Sequence, residues 1–145
     1  MAIAQSSTLL HGKLLPLLYV KDVEQSIIFY KDKLGFEFNG WWDNDKMGYV
    51  PDWPPAKKPD FAEFRAGDLI VHLHVDMEGE SSKTGSSILH LEVADVDQYH
   101  KDVVSRGLSA EAPQDMPWGW RQFYVTDPDG HRWSFRNPTA GIAPS

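Results

Sequence analysis

Three histidines and a glutamate stand at spacings that could serve a metal ion or a polar ligand. His72 and His74 are two apart in the run Leu69–Val75, and His90 and Glu92 are two apart in Ile88–Val93. Residues two apart on a strand share a face, so each pair projects from one side of its strand. If those sides meet in one cavity, three imidazoles and a carboxylate would suit Zn, Fe or Ni. The alternative is a set of hydrogen-bonding side chains in a polar pocket. In a third run Arg132, Ser134 and Arg136 alternate with Trp133 and Phe135, which assigns the aromatics to the core and the polar set to the opposite face. The two guanidiniums would suit a carboxylate or phosphate, or would pair internally with Glu92. His11, His100 and His131 fall outside these patterns and are expected to be exposed.

The chain carries six tryptophans. Trp118 and Trp120 flank Gly119 in a segment that reads as loop, and Trp41, Trp42 and Trp53 lie in or beside a proline-rich stretch. As a set, loop tryptophans around a cavity suit stacking on a flat, delocalised ligand; closure over a sheet edge is the competing role for any one of them. Other chemistries are excluded. There is no cysteine, hence no disulfide, thiolate ligand or cysteine nucleophile. No nucleophile elbow, phosphate-cradling glycine loop or helical His-Glu-x-x-His occurs. Asp127-Pro128-Asp129-Gly130 is turn chemistry rather than an acid pair.

The elements that must position these residues occur twice. Leu18-Tyr19-Val20-Lys21-Asp22-Val23-Glu24-Gln25 is repeated as Leu91-Glu92-Val93-Ala94-Asp95-Val96-Asp97-Gln98. In each copy a strand runs into Asp, followed three residues later by Gln, the capping-box spacing. Each helix-length segment that follows stops at a glycine, Gly35 or Gly107. In the first copy Leu14–Val20 and Phe36–Trp42 read as strands, residues 43–60 as a Pro/Trp-rich loop, and Phe61–Arg65 with Leu69–Val75 as a hairpin. In the second, Ile88–Val93, Leu108–Ala110, Gln122–Thr126 and His131–Arg136 are the strands. The pattern predicts an α+β fold of two βαβββ modules, with helices on the outer face of a concave sheet. The modules span 14–76 and 87–138, with an N-terminal arm 1–13, a linker 77–86 and a tail 139–145.

The 145 residues include 41% hydrophobic and 24% charged positions, as expected for a globular domain,. A formal net charge of −7 argues against nucleic acid as a partner and is compatible with attraction of a cation. No apolar run approaches a membrane span and no secretory leader is evident, so the cytoplasm is the expected location.

Three segments carry a family resemblance: Pro16–Asp22 through Phe29-Tyr30-Lys31-Asp32-Lys33-Leu34-Gly35-Phe36; Leu89–Val96; and Pro117-Trp118-Gly119-Trp120-Arg121-Gln122-Phe123 with Asp127-Pro128-Asp129-Gly130. In this order they resemble the vicinal oxygen chelate superfamily of glyoxalases, extradiol dioxygenases and bleomycin-resistance proteins, and the Pro-Trp-Gly segment is similar to the bleomycin-resistance branch. The enzymes of that superfamily hold a divalent metal with four equivalent strand positions. The resemblance puts Leu15, His72, Ile88 and Ser134 there, and one imidazole is too few for a catalytic metal. It therefore implies a non-catalytic, homodimeric binding protein with no metal and no cofactor, holding an aromatic, preferably cationic drug or metabolite in a groove at the dimer interface. Trp118, Trp120, Trp42, Trp53, His72, His74, His90, Glu92, Arg132 and Ser134 are the expected ligand-binding residues. The alternative is a metal-dependent glyoxalase-like lyase or dioxygenase with a rearranged His/Glu site.

Overall fold

Each helix begins at an aspartate. Asp22 and Asp95 hold extended backbone and accept from the N–H groups of Gln25 and Gln98 at 3.2 and 3.1 Å. This satisfies a first-turn donor that has no partner inside the helix. From these caps run α1 (Val23–Ile28) and α2 (Val96–Ser105). α1 continues into a π-helical turn, Phe29–Lys33, where the Leu34 N–H reaches the Phe29 carbonyl at 3.1 Å. The two helix ends pack against each other. A Cβ at Gly107 would stand 2.8 Å from Lys33 Nζ, and one at Gly35 would stand 3.0 Å from the Arg106 guanidinium carbon. Gly35 and Gly107 also hold positive φ, 69° and 95° respectively, so the stop signal and the close approach coincide.

The structure, a computed structural model, describes residues 7–79 and 87–139. Most of the expected linker, and parts of the arm and tail, lie outside the described residues. The first sheet contains β1 (Leu17–Val20), β2 (Glu37–Asp43), β3 (Gly48–Val50), β4 (Phe61–Ala66) and β5 (Leu69–Val75), in the order β1-β5-β4-β2-β3. The second contains β6 (Ile88–Glu92), β7 (Gln114–Asp115), β8 (Trp120–Thr126) and β9 (Arg132–Pro138), in the order β6-β9-β8-β7. In each, the first strand runs parallel to the last and the remaining pairs are antiparallel. The fold is α+β, and its repeated topology follows the repeated sequence.

Four local expectations differ from what is found, the first being that β1 begins at Leu17 rather than at Leu14, after Pro16, which has no N–H to offer a ladder,. Residues 48–50 form β3 inside the expected loop, because the prolines begin only at Pro51 and leave the preceding backbone donors free to pair with Trp41–Asp43,. Leu108–Ala110 forms no strand. Leu108 and Ala110 pack on the core, and His100 Nε2 donates to the Ala110 carbonyl at 3.0 Å; the pairing falls instead at Gln114–Asp115. Trp120 starts β8, opposite Pro138, rather than lying in a loop.

One core joins both modules. Trp133 and Phe135 stack with ring centroids 6.0 Å apart, and Phe36 meets both rings edge-on at 5.6 and 6.4 Å. The Asp127–Gly130 turn clasps the first module. Asp127 accepts from the Tyr30 hydroxyl at 2.6 Å and from the backbone N–H groups of Asp129 and His131 at 2.9 and 2.8 Å. Asp129 accepts from the Lys21 N–H at 2.9 Å, and His131 Nε2 donates to the Tyr19 carbonyl at 2.7 Å. His131 is therefore a tie between modules. Burial, with the adjacent Asp127 charge, pushes the Tyr30 phenol well above its ordinary range. Burial also raises the Asp127 carboxyl, against the opposing pull of the Tyr30 hydrogen bond,. No helix among the described residues is long and apolar enough to cross a membrane.

Candidate functional site

Alternation leaves each sheet with a face turned away from the shared core. On the first sheet Leu18, Val20, Val71 and Leu73 are buried on the helix side, so His72 and His74 of β5 point to the open side with Leu17 and Tyr19 of β1 beside them in register. The turn between β4 and β5 sets Phe61 opposite His74 and Glu63 opposite His72. A row of rings results: Tyr19–His74 at 5.8 Å, His74–Phe61 at 5.8 Å, Phe61–Tyr49 at 6.3 Å and Tyr49–Trp42 at 5.3 Å. His72 lies 4.8 Å from Phe61.

Glu63 is the polar centre of this face. Its carboxylate accepts from His72 Nε2 at 2.8 Å and from Asn39 Nδ2 at 3.0 Å, and the Tyr49 hydroxyl also bonds to it. Asn39 reaches it because β2 bulges between Phe38 and Gly40, which inserts one residue opposite β4,. His74 Nδ1 donates to the Val75 carbonyl at 2.7 Å. Glu63, Phe61, Tyr49 and Tyr19 were not singled out from sequence. The hairpin around Gly67 carries the signal for Glu63, since it fixes which residue of β4 faces His72.

On the second sheet the open face carries His90 and Glu92 from β6, Arg132, Ser134 and Arg136 from β9, and Gln122 and Tyr124 from β8. Ser134 lies between His90 and Tyr124, and Arg136 lies between Glu92 and Gln122. The Arg136 guanidinium carbon stands 4.0 Å from the centroid of the Trp120 ring, and that of Arg132 stands 6.0 Å from the Tyr124 ring. Trp118 Nε1 donates to Gln122 Oε1 at 3.4 Å, and Gln122 Nε2 donates to the Tyr124 hydroxyl at 2.6 Å. Ser134 Oγ is buried with no hydrogen-bond partner among the described residues. Burial, then the Arg136 charge, lowers the His90 imidazole below its ordinary value. Glu92 also borders a cleft of about 380 Å³ between the modules, together with Arg65, Leu91 and Tyr99.

The ten residues expected from sequence thus divide. Trp42, His72 and His74 share the first open face; Trp118, Trp120, His90, Glu92, Arg132 and Ser134 belong to the second. Trp53 turns the other way, packing on Phe38 at 6.0 Å beneath the Lys31 ammonium, on the core side of the sheet. Trp41 is likewise core, its indole N–H donating to the Asp52 carbonyl at 3.1 Å. Among the described residues, no three of His, Asp and Glu stand together as a possible metal ligand group.

Residues 12–135 match the family model of the glyoxalase/bleomycin resistance protein/dioxygenase superfamily. An "uncharacterized protein" of Mycobacterium tuberculosis is 33% identical over 137 residues, covering 88% of this chain and 75% of that one. Among solved structures, TioX from Micromonospora superimposes with a TM-score of 0.64 at 21% identity, covering 88% of this chain and 98% of its own. The bleomycin-binding protein of bleomycin-producing Streptomyces verticillus, solved with copper(II)-bleomycin, superimposes with a TM-score of 0.61 at 26% identity, covering 89% and 95%. With a family match running through nearly the whole chain and a repeated strand–helix topology to go with it, this protein belongs to the glyoxalase/bleomycin resistance/dioxygenase superfamily.

Proposed function

We propose that the protein binds and sequesters a planar aromatic drug or metabolite without altering it, in a groove formed between two copies of the chain. The observation that carries this reading is the row Tyr19, His74, Phe61, Tyr49 and Trp42, five rings spaced 5.3 to 6.3 Å apart on the open face of the first sheet. Three of the four successive pairs meet edge to face, at 66° to 86°, so the row is an aromatic wall that offers a flat ligand both ring faces and ring edges,. The second sheet adds the half-exposed Trp118 and a polar strip. The first-sheet face of one copy set against the second-sheet face of another would enclose a flat ligand from both sides, which makes the working unit a homodimer. The likeness to a bleomycin-binding protein supports sequestration as the activity.

A metal-dependent lyase or dioxygenase fits these residues poorly. Of the four positions where the resemblance implies ligands, Leu15 and Ile88 have no lone pair to offer. Ser134 Oγ is buried, and His72 Nε2 is already bonded to Glu63 at 2.8 Å. A catalytic centre needs about three protein ligands.

The test is tryptophan quenching by bleomycin and a panel of planar drugs, followed by mass analysis of the recovered compound. The expected result is saturable quenching, an unchanged compound and a sedimenting dimer. Trp118→Ala should cost about 1–3 kcal/mol of binding while leaving the melting temperature near that of the parent. A ligand recovered in altered form, or a monomer at micromolar concentration, overturns the proposal.

A further inference from the structure

We infer that the ligand of this site is a planar aromatic acid, with Arg132 and Arg136 on β9 receiving its carboxylate; this rests on the aromatic-binding reading above and adds the ligand's charge to it. Both side chains project from the open face of the second sheet, alternating with the buried Trp133 and Phe135. Four residues apart on one strand, their Cα atoms are separated by roughly 13 Å, with Ser134 midway.

The manner in which they are held is the first argument. Arg136 lies on the Trp120 ring at 4.0 Å and Arg132 beside the Tyr124 ring at 6.0 Å. Both contacts are of the charged carbon over a ring, and they use none of the guanidinium N–H donors in a hydrogen bond among the described residues,. Neither group has a hydrogen bond or ion pair among the described residues. Arg121 and Arg106 differ: Arg121 grips Asp97 and Asp115 at 3.0 and 3.1 Å, and Arg106 holds Asp102 at 3.1 Å. The arginines of the open face are oriented but leave their forks free, which is the geometry that takes up a carboxylate with two N–H groups.

The second argument is the excess of donors around them. Gln122 Nε2 donates into the Tyr124 hydroxyl oxygen at 2.6 Å, so the hydroxyl's own hydrogen points elsewhere. Ser134 Oγ, between the two arginines, is sealed from solvent with no hydrogen-bond partner among the described residues, so the accessible donors of this strip are the two guanidiniums and the Tyr124 hydroxyl. Glu92, beside Arg136 in the β6–β9 register, is the only acid on this face among the described residues, so one positive charge remains in excess. The net charge of −7 acts through a field screened beyond about 10 Å at 0.1 M salt. At contact distance the two guanidiniums decide.

Three probes of one shape test the inference: 2-naphthoate, its neutral 2-naphthamide and cationic 2-naphthylmethylammonium, titrated by tryptophan fluorescence. Naphthoate should bind about tenfold or more tighter than the amide. Arg132→Gln and Arg136→Gln should each shrink that ratio. The unmodified protein supplies the first comparison should Arg136→Gln disturb Trp120. Equal affinity for all three probes, or preference for the ammonium, overturns the acid assignment and leaves aromatic binding standing. Binding of none of them overturns both.

Discussion

Partial burial, and then the Arg136 charge, hold the His90 imidazole below its ordinary 6.5. A histidine with a depressed folded-state pKa favours the fold fully above the unfolded value, and that contribution is lost as pH falls through the folded value. His90 is therefore expected to titrate below 6.5 in a proton NMR titration, and Arg136→Gln should move its midpoint upward by removing the neighbouring charge. A midpoint unmoved by that substitution would sever the coupling of His90 to Arg136. Glu63 presents a different case. Its partners His72, Asn39 and Tyr49 come from three strands, so no short sequence motif contains them. The one local clue, a two-strand turn at Gly67, is unremarkable until its register is known.

The β2 strand depends on one glycine. Gly40 has φ 140°, and a Cβ there would stand 2.9 Å from the Val50 carbonyl oxygen of β3 and 3.0 Å from Tyr49 Cβ. Gly40→Ala thus combines strained backbone with a clash against a neighbouring strand. It should destabilise by about 1–3 kcal/mol in urea unfolding. Because the bulge before Gly40 aims Asn39 at Glu63 and β3 carries Tyr49, the same change should weaken binding of an aromatic ligand. Intact stability and intact binding together would show that β3 is dispensable to the site. The helices were easier to read than this strand. Asp22 and Asp95 act within one turn of chain, so cap and helix start coincide in sequence and in space,. The bulge depends on a partner strand instead.

At the scale of the whole molecule, the Tyr30–Asp127 hydrogen bond links residues 97 positions apart and lies in the seam between the modules. Tyr30→Phe removes a donor to Asp127 and also the acceptor of the Trp133 indole N–H, which lies 3.0 Å away. The expected loss is about 1–3 kcal/mol in urea unfolding at neutral pH. The pH dependence follows from the raised folded-state pKa of Asp127. Such a carboxyl favours the fold below its unfolded value, 3.8, and that contribution is lost as pH rises through the folded value,. Because the Tyr30 bond opposes the rise, Tyr30→Phe should raise the Asp127 pKa further, and its cost should shrink as the pH is lowered toward 4. A cost that is flat across that range would show that Asp127 does not titrate there and would overturn the pH-dependent part of this prediction.

Features that depend on a few consecutive residues were legible in the chain: the two capped helices, the glycines that end them, the alternation that buries Trp133 and Phe135 and turns Arg132 and Arg136 to the other face, and through these the repeated module. Tertiary structure decided what depends on register between distant segments. It turned Trp53 inward onto Phe38 while leaving Trp42 on the open face, although both flank the same proline-rich stretch. It gave His72 to Glu63 and made the Asp127–Gly130 turn a clasp as well as a bend. Local signals are set by backbone geometry within a turn or a pleat. Side-chain partnership is settled only when strands far apart in the chain pair in one register and not the next.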